Sequence, residues 1–375
     1  MRIAVVTESF LPTVNGVTNS VCQILRHFSD RAHRAMVIAP GPAPREYAGH
    51  SVVPVGGIAL PGYRSFVLGL PIARLDGLLH DFQPDVVHLA SPFALGAAGA
   101  AAARRLGLPI VAVFQTDVAG FARQYGFRGT DRAIWAWIRR VHRQADLTLV
   151  PSTATLRQLR ERGIPRLAMW RRGVDAERFH PRHRDPRLRA RLAGRGEVLV
   201  GYVGRLSGDK RVHLLAEIAD LPGVRLVIAG DGPAARRLRA HLPHARFLGL
   251  LHGTELSQLY ASLDVFVHSG ADETFCQAVQ EAMASGVPVV APASGGPLDL
   301  VEHERTGLLY PPESVTALRG AVRQLVNDPG LRETFGNRAR DAVRWRTWSA
   351  IGDQVIEYYA DLIRGNRPAG RRATA

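Results

Sequence analysis

Lysine is almost missing from this chain: 47 of its 48 basic residues are arginine, and the exception is Lys210. Cysteine is nearly as scarce. Cys22 and Cys276 stand in different halves, which excludes a disulfide framework or a metal-ligand spacing and fits a reducing compartment. Long apolar runs are absent as well, since the longest, Ala94 to Ala103, falls well short of the ~18 residues that span a bilayer. Met1 to Glu8 reads directly into a strand, with no h-region or small-residue cleavage site, so a cytoplasmic protein is expected. The formal charge of +15 calls for an anionic partner. Zinc-finger spacing, an RNP-like aromatic motif and a lysine-rich arm are all lacking, which argues against nucleic acid as that partner.

What is present is an ordinary globular composition, 46% hydrophobic and 22% charged over 375 residues, enough for two domains. Short β-branched runs alternate with amphipathic segments of helical length, the pattern of parallel sheets with crossover helices. In the first half the runs are 3–7, 35–39, 86–90, 110–114 and 147–151; in the second they are 199–203, 225–229, 246–248, 265–268, 287–291 and 307–310. The expected division is a domain over 1–177, an Arg- and Pro-rich linker over 178–195, and a second domain over 196–345. A helix over 346–364 then crosses back to the first domain, and 365–375 is expected to be disordered. Residues 1–175 hold 21 arginines against 11 acidic residues, so +10 of the charge lies there and +5 in the rest.

Two open parallel sheets place a ligand at the carboxyl ends of their strands, in a cleft between the domains. Strand-end loops are therefore where the chemistry is sought. Lys210 is in one of them, five residues after Arg205, and a lone lysine in an arginine-rich chain suits a site wanting a compact point charge, most often for phosphate. Codon bias that spared one lysine by chance is the alternative. Sixty residues on, Glu273 and Glu281 stand eight positions apart across an expected helix start near Phe275, where unpaired amides and the helix dipole favour an anion or hydroxyl oxygens. Glycine-rich turns recur at Asn15-Gly16, Gly204, Gly230-Asp231-Gly232 and Ser294-Gly295-Gly296.

The segments 12–17, 204–210, 273–288 and 306–309 together resemble the retaining glycosyltransferases of the GT-B fold marked by two glutamates eight apart, glycosyltransferase family 4. That resemblance covers nearly the whole chain and implies an α/β architecture of two Rossmann-like domains facing a cleft. More narrowly, the chain resembles the actinobacterial GDP-mannose-dependent α-mannosyltransferases of glycolipid synthesis. The resemblance implies that Arg205 and Lys210 neutralise the leaving diphosphate, that Glu273 meets the donor hexose and that Glu281 anchors the ribose. It puts Thr274, Phe275, Cys276 and Gln277 around the donor, the backbone of Leu250 and Leu251 against the base, and Gly16 beside the phosphate, with Asn15 near the cleft. No Asp-x-Asp motif occurs, which agrees with transfer that needs no metal or other cofactor.

Two positions depart from the family pattern. Gln115 stands where many relatives carry histidine, and it cannot take a proton at neutral pH. Asp117 is the nearest ionisable substitute, with a plain surface turn as its alternative. Cys276 replaces a more usual glycine. For the acceptor, the segment 131–145 reads as a helix whose Trp135, Arg139, His142 and Arg143 face suits an anionic lipid surface. Arg123, Arg128, Tyr63 and Arg64 lie in the same half. The expectation is a peripheral enzyme on the inner face of the membrane, taking a lipid-linked acceptor; the alternative has the arginines solvating a helix and Trp135 packed under a loop. Rival functions are a UDP-hexose transferase of the same fold and a basic, non-catalytic binder of nucleotide sugars or nucleic acid.

Overall fold

The computed structural model describes residues 1–13, 15–60, 63–70, 74–116 and 131–366. The chain divides into two compact units, Met1–Arg172 with Trp348–Ala375, and Gly173–Thr347. The first unit contains β1 (Arg2–Val6), β2 (Arg34–Pro40), β3 (Glu46–Tyr47), β4 (His50–Val55), β5 (Gly57–Leu60), β6 (Tyr63–Gly69), β7 (Val86–Leu89), β8 (Ile110–Val113), β9 (Leu147–Val150) and β10 (Leu167–Met169). Eight of these form one sheet in the order β10-β9-β8-β7-β1-β2-β4-β3, parallel throughout except for the β3–β4 pair, while β5 and β6 form a separate hairpin. The central strands are apolar over most of their length because helices cover both faces; Ile3, Val5, Val37 and Val111 pack to one side, and Ala4, Val6, Ile38 and Ala112 to the other.

The last helix, Trp348–Asn366, belongs to this first unit. Gly352 makes its close approach to the helix Gly16–Asp30 possible, since a β-carbon there would stand 2.2 Å from the His27 ring. Asp353 then pairs with His27 at 2.9 Å and with Arg31 at 2.6 Å. Deeper in, the Tyr359 hydroxyl meets His88 Nδ1 at 2.6 Å, and both residues are fully enclosed.

The second unit carries β11 (Val198–Val203), β12 (Val224–Ala229), β13 (Arg246–Gly249), β14 (Val265–Val267), β15 (Val289–Pro292) and β16 (Gly307–Tyr310). They form an all-parallel sheet in the order β13-β12-β11-β14-β15-β16, the doubly wound arrangement. The order in which strands are added reverses between β11 and β14, so the connections leaving those two parallel strands run to opposite sides and leave a crevice between them. The expected linker over 178–195 is instead part of this unit. Pro181 and Pro186 occupy the first position of a short 3-10 turn and of the helix Pro186–Leu192, and the Asp185 side chain caps the latter. Asp264 receives Arg189 at 2.8 Å and Arg184 at 3.2 Å. Proline and arginine here start and tether helices, which composition alone does not distinguish from a spacer.

Tyr359→Phe removes the partner of a buried imidazole and should cost about 1–3 kcal/mol of stability. Urea unfolding followed by fluorescence checks this, with an unchanged midpoint speaking against it.

Candidate active site

Two strand-end loops of the second unit meet at the crevice beside β11. The first follows β11 and runs from Gly204 to Lys210; the second follows β14 and runs from His268 to Cys276. Lys210 Nζ lies 2.6 Å from Glu273 Oε1, joining the two loops in one ion pair. His268 Nε2 approaches the same oxygen to 3.0 Å, and Asp209 stands 3.8 Å from the lysine. Burial by itself would raise the Glu273 carboxyl, yet Lys210 and His268 overrule it and hold the group well below the usual carboxylate range. Lys210, which burial would lower, is raised by Glu273 instead. Both groups are therefore charged at neutral pH, and of the three N–H donors on Lys210, one is committed to Glu273.

Backbone contacts fix this pair. Ser269 Oγ donates to the Lys210 carbonyl at 2.6 Å, the Tyr202 hydroxyl donates to the Arg205 carbonyl at 3.0 Å, and the Tyr310 hydroxyl donates to that of His268 at 3.2 Å. Arg205 is half-buried on the same loop as Lys210. The glycine-rich turns support these loops from behind. A β-carbon on Gly230 would stand 1.9 Å from the Gly204 carbonyl oxygen, and one on Gly232 2.4 Å from that of Leu206. Gly295 and Gly296 pack equally closely on the carbonyls of Glu273 and Phe275. At Gly270 a β-carbon would come within 3.4 Å of both Lys210 and Glu273 and 3.0 Å of His268, so its absence leaves room at the centre of the cluster.

The helix after the second loop is Gln277–Ala284, starting two residues later than the sequence suggested, with Cys276 at its N-cap in the left-handed region (φ 78°). Glu281 lies about one turn into it, half-buried. Burial pushes its carboxyl up to about 7, against the lowering effect of the Tyr260 hydroxyl, Arg178 and the Gln277 amide. Gln277 also donates to the Gly173 carbonyl at 3.0 Å. Thr274 follows Glu273 on the loop. Phe275 does not face the site: its ring is buried in the hydrophobic core beside Val279 and Met283, because the helix start turns it inward. Leu250 follows β13 and is exposed, whereas Leu251 packs partly on that core.

In the first unit, Asn15 caps its helix, accepting from the amides of Val17 and Thr18 and donating to Ser9 Oγ. Gln115 links strand ends, donating to the Ala90 carbonyl and accepting from Arg172 at 2.6 Å. Arg172 in turn donates to the Gly16 carbonyl at 2.7 Å, so the residue in the histidine position orients the arginine that holds the start of the helix Gly16–Asp30. Nothing in the sequence pointed to Arg172. His268 was also missed as a site residue, although a histidine closing a buried strand beside the reversal point was the available signal.

The lipid-facing assignment of the helix Asp131–Gln144 is corrected. Trp135 is buried, stacked on Phe114 at 6.2 Å beneath the Arg162 guanidinium. Arg139 and Arg143 donate to the carbonyls of Arg162 and Gly163. The buried stripe is Trp135, Ile138, Val141 and His142, with the imidazole pushed down to about 4 by burial and therefore neutral. Reading His142 as a surface cation rotated the helix in the sequence analysis; the exposed aromatic is Trp137. Asp117, Arg123, Arg128 and the side chains of Tyr63 and Arg64 lie outside the described residues.

Glu281 carries a pH signature. Its folded value lies above that of an ordinary carboxyl, so the folded state binds more protons and stability falls as pH rises from about 4.5 to about 7. Glu281→Gln should remove up to about 3 kcal/mol of that total change, measured from urea midpoints across this range. A slope retained in the variant would contradict the assignment.

Residues 14–178 match the family model Glycosyltransferase Family 4, and residues 186–342 match Glycosyl transferases group 1. A GDP-mannose-dependent alpha-mannosyltransferase of Mycobacterium tuberculosis is 49% identical over 98% of this chain and 98% of its own. One of the same name from Mycolicibacterium smegmatis is also 49% identical, over 98% and 99%. The solved structure of Anabaena HepE in complex with UDP superimposes with a TM-score of 0.78 at 21% identity, covering 96% of this chain and 100% of that one. With both family signatures on two parallel-sheet domains and near-half identity along its whole length to such enzymes, the chain belongs to glycosyltransferase family 4 and is a glycosyltransferase of the GT-B fold.

Proposed function

We propose that this enzyme transfers mannose from GDP-mannose to a lipid-linked acceptor, with retention of configuration and without a metal. The observation that carries the reading is the Lys210–Glu273 pair at the crevice beside β11, with Arg205 on the same loop. Lys210 retains N–H donors for a phosphate oxygen after meeting Glu273, and with Arg205 it supplies fixed positive charge where the leaving diphosphate becomes more negative. In the reaction the bond from the mannose anomeric carbon to the phosphate oxygen breaks, and a bond to the acceptor hydroxyl oxygen forms on the same face. The hydroxyl proton passes to the departing phosphate. Glu273 holds the hexose hydroxyls, and Glu281 takes the ribose diol.

Mannose and guanine are supported by the mycobacterial relatives, both named for a GDP-mannose donor. Support for a lipid acceptor comes from the first unit. Glu8, buried at the end of β1, accepts from the amides of Gly69, Phe93 and Gly96. Leu70 follows Gly69, and Trp137 Nε1 donates to the Phe93 carbonyl at 3.1 Å, so these two exposed apolar side chains flank one anchor. Ile58 on the adjoining hairpin is 57% exposed. An apolar edge in the more basic half of the chain suits an anionic leaflet. Among the described residues no helix is long and apolar enough to cross a membrane.

Labelled GDP-mannose incubated with extracted actinobacterial lipids should give an organic-soluble α-mannoside, in excess EDTA as well. Lys210→Ala should lower the rate by about 100-fold or more. Label entering from UDP-glucose instead would replace the donor, label found only in water-soluble glycan would replace the acceptor, and loss with EDTA would end the metal-free reading.

A further inference from the structure

His268, Glu273 and Cys276 share a geometry that the transfer chemistry does not call on. One ligand atom from each, an imidazole nitrogen, a carboxylate oxygen and the thiol sulfur, lies within 4.8 Å of the others. Zinc bound through such a set holds its ligand atoms roughly 3.3–3.8 Å apart, so side-chain movements of about 1 Å bring them into range.

Two independent features single out this trio. His268 is 3% exposed; its Nδ1 has no hydrogen-bond partner, while Nε2 lies 3.0 Å from Glu273 Oε1. A buried imidazole in that state is costly unless something ligates it. Cys276 is held at φ 78°, ψ 72°, a conformation that glycine adopts freely and that strains other residues. The chain keeps a thiol at a backbone position where a glycine would relax.

We propose that His268, Glu273 and Cys276 form an inhibitory site for a thiophilic divalent cation, Zn2+, whose occupancy excludes the sugar-nucleotide donor. Imidazole and thiolate select zinc over magnesium or calcium, and the thiol releases its proton to solvent as it ligates. Glu273 Oε1 is the oxygen that holds Lys210 at 2.6 Å, so a dication at this carboxylate repels the ammonium from its place in the phosphate clamp. Zinc binding itself stands apart from the proposed donor reaction; exclusion of the donor rests on that reading.

The test uses chelator-stripped full-length protein titrated with ZnCl2 against a competing indicator dye. Wild type should take up one zinc per chain at micromolar concentration or below, unaffected by millimolar Mg2+. His268→Asn and Cys276→Gly should each weaken binding at least tenfold, with thermal midpoints showing both folded and Cys276→Gly no less stable than wild type. No uptake by wild type, or equal uptake by Cys276→Gly, overturns the site. Donor exclusion is read separately: zinc should raise the KM for GDP-mannose in wild type and not in Cys276→Gly. Zinc uptake with an unchanged KM overturns the exclusion alone, and failure of GDP-mannose to bind the stripped protein overturns the donor reading while leaving the zinc result intact.

Discussion

The ion pair between Lys210 and Glu273 is what the functional part of the structure depends on. It spans two loops that leave adjacent, parallel strands at the point where the strand order reverses, and it sets the charge of both members. An ammonium opposite a carboxylate in a mostly enclosed site remains charged, oriented and partly unused as a donor, which is the state a diphosphate requires of it. Removing either member leaves the other as an uncompensated charge, an arrangement that proteins tolerate poorly in enclosed surroundings. The same pair therefore couples stability of the loops to readiness for the donor.

Around that pair the fold acts as a scaffold of close backbone contacts. Glycines 230, 232, 295 and 296 have no room for side chains because the site's own carbonyls lie against them. Their role is to let loops from neighbouring strands stack, so that Arg205, Lys210 and Glu273 are carried on backbone rather than on mobile side-chain packing. In the first unit the corresponding work falls to polar groups. Glu8 gathers three amides, while Gln115 and Arg172 tie the ends of β8 and β10 to Gly16.

Apolar runs of four to six residues marked every strand that is buried on both faces, because such strands have no polar side to disguise them. Strands at and beside one edge of the first sheet escaped: β3, β4 and the β5–β6 hairpin carry mixed side chains and read as loop. Charged and amide residues whose role lies in distant contacts were harder still. Arg172 looks like any surface arginine in a sequence rich in them, and Gln115 showed only what it could not do. His142 misled because ionisation depends on burial, which periodicity does not report: its neutral ring lies on the buried stripe with Trp135, not on a cationic surface. Lys210 and Glu273 were legible as individuals; that they are partners is a property of strand order.

The most direct test of the central claim is the thermal midpoint of the purified protein with and without GDP-mannose, beside an Arg205→Ala, Lys210→Ala double variant. Ligand that binds only the folded state raises the midpoint. The account predicts a rise in wild type that UDP-glucose does not reproduce and that the double variant loses. An equal rise in the double variant would mean that the donor phosphates are held elsewhere, contradicting the clamp at the Lys210–Glu273 pair.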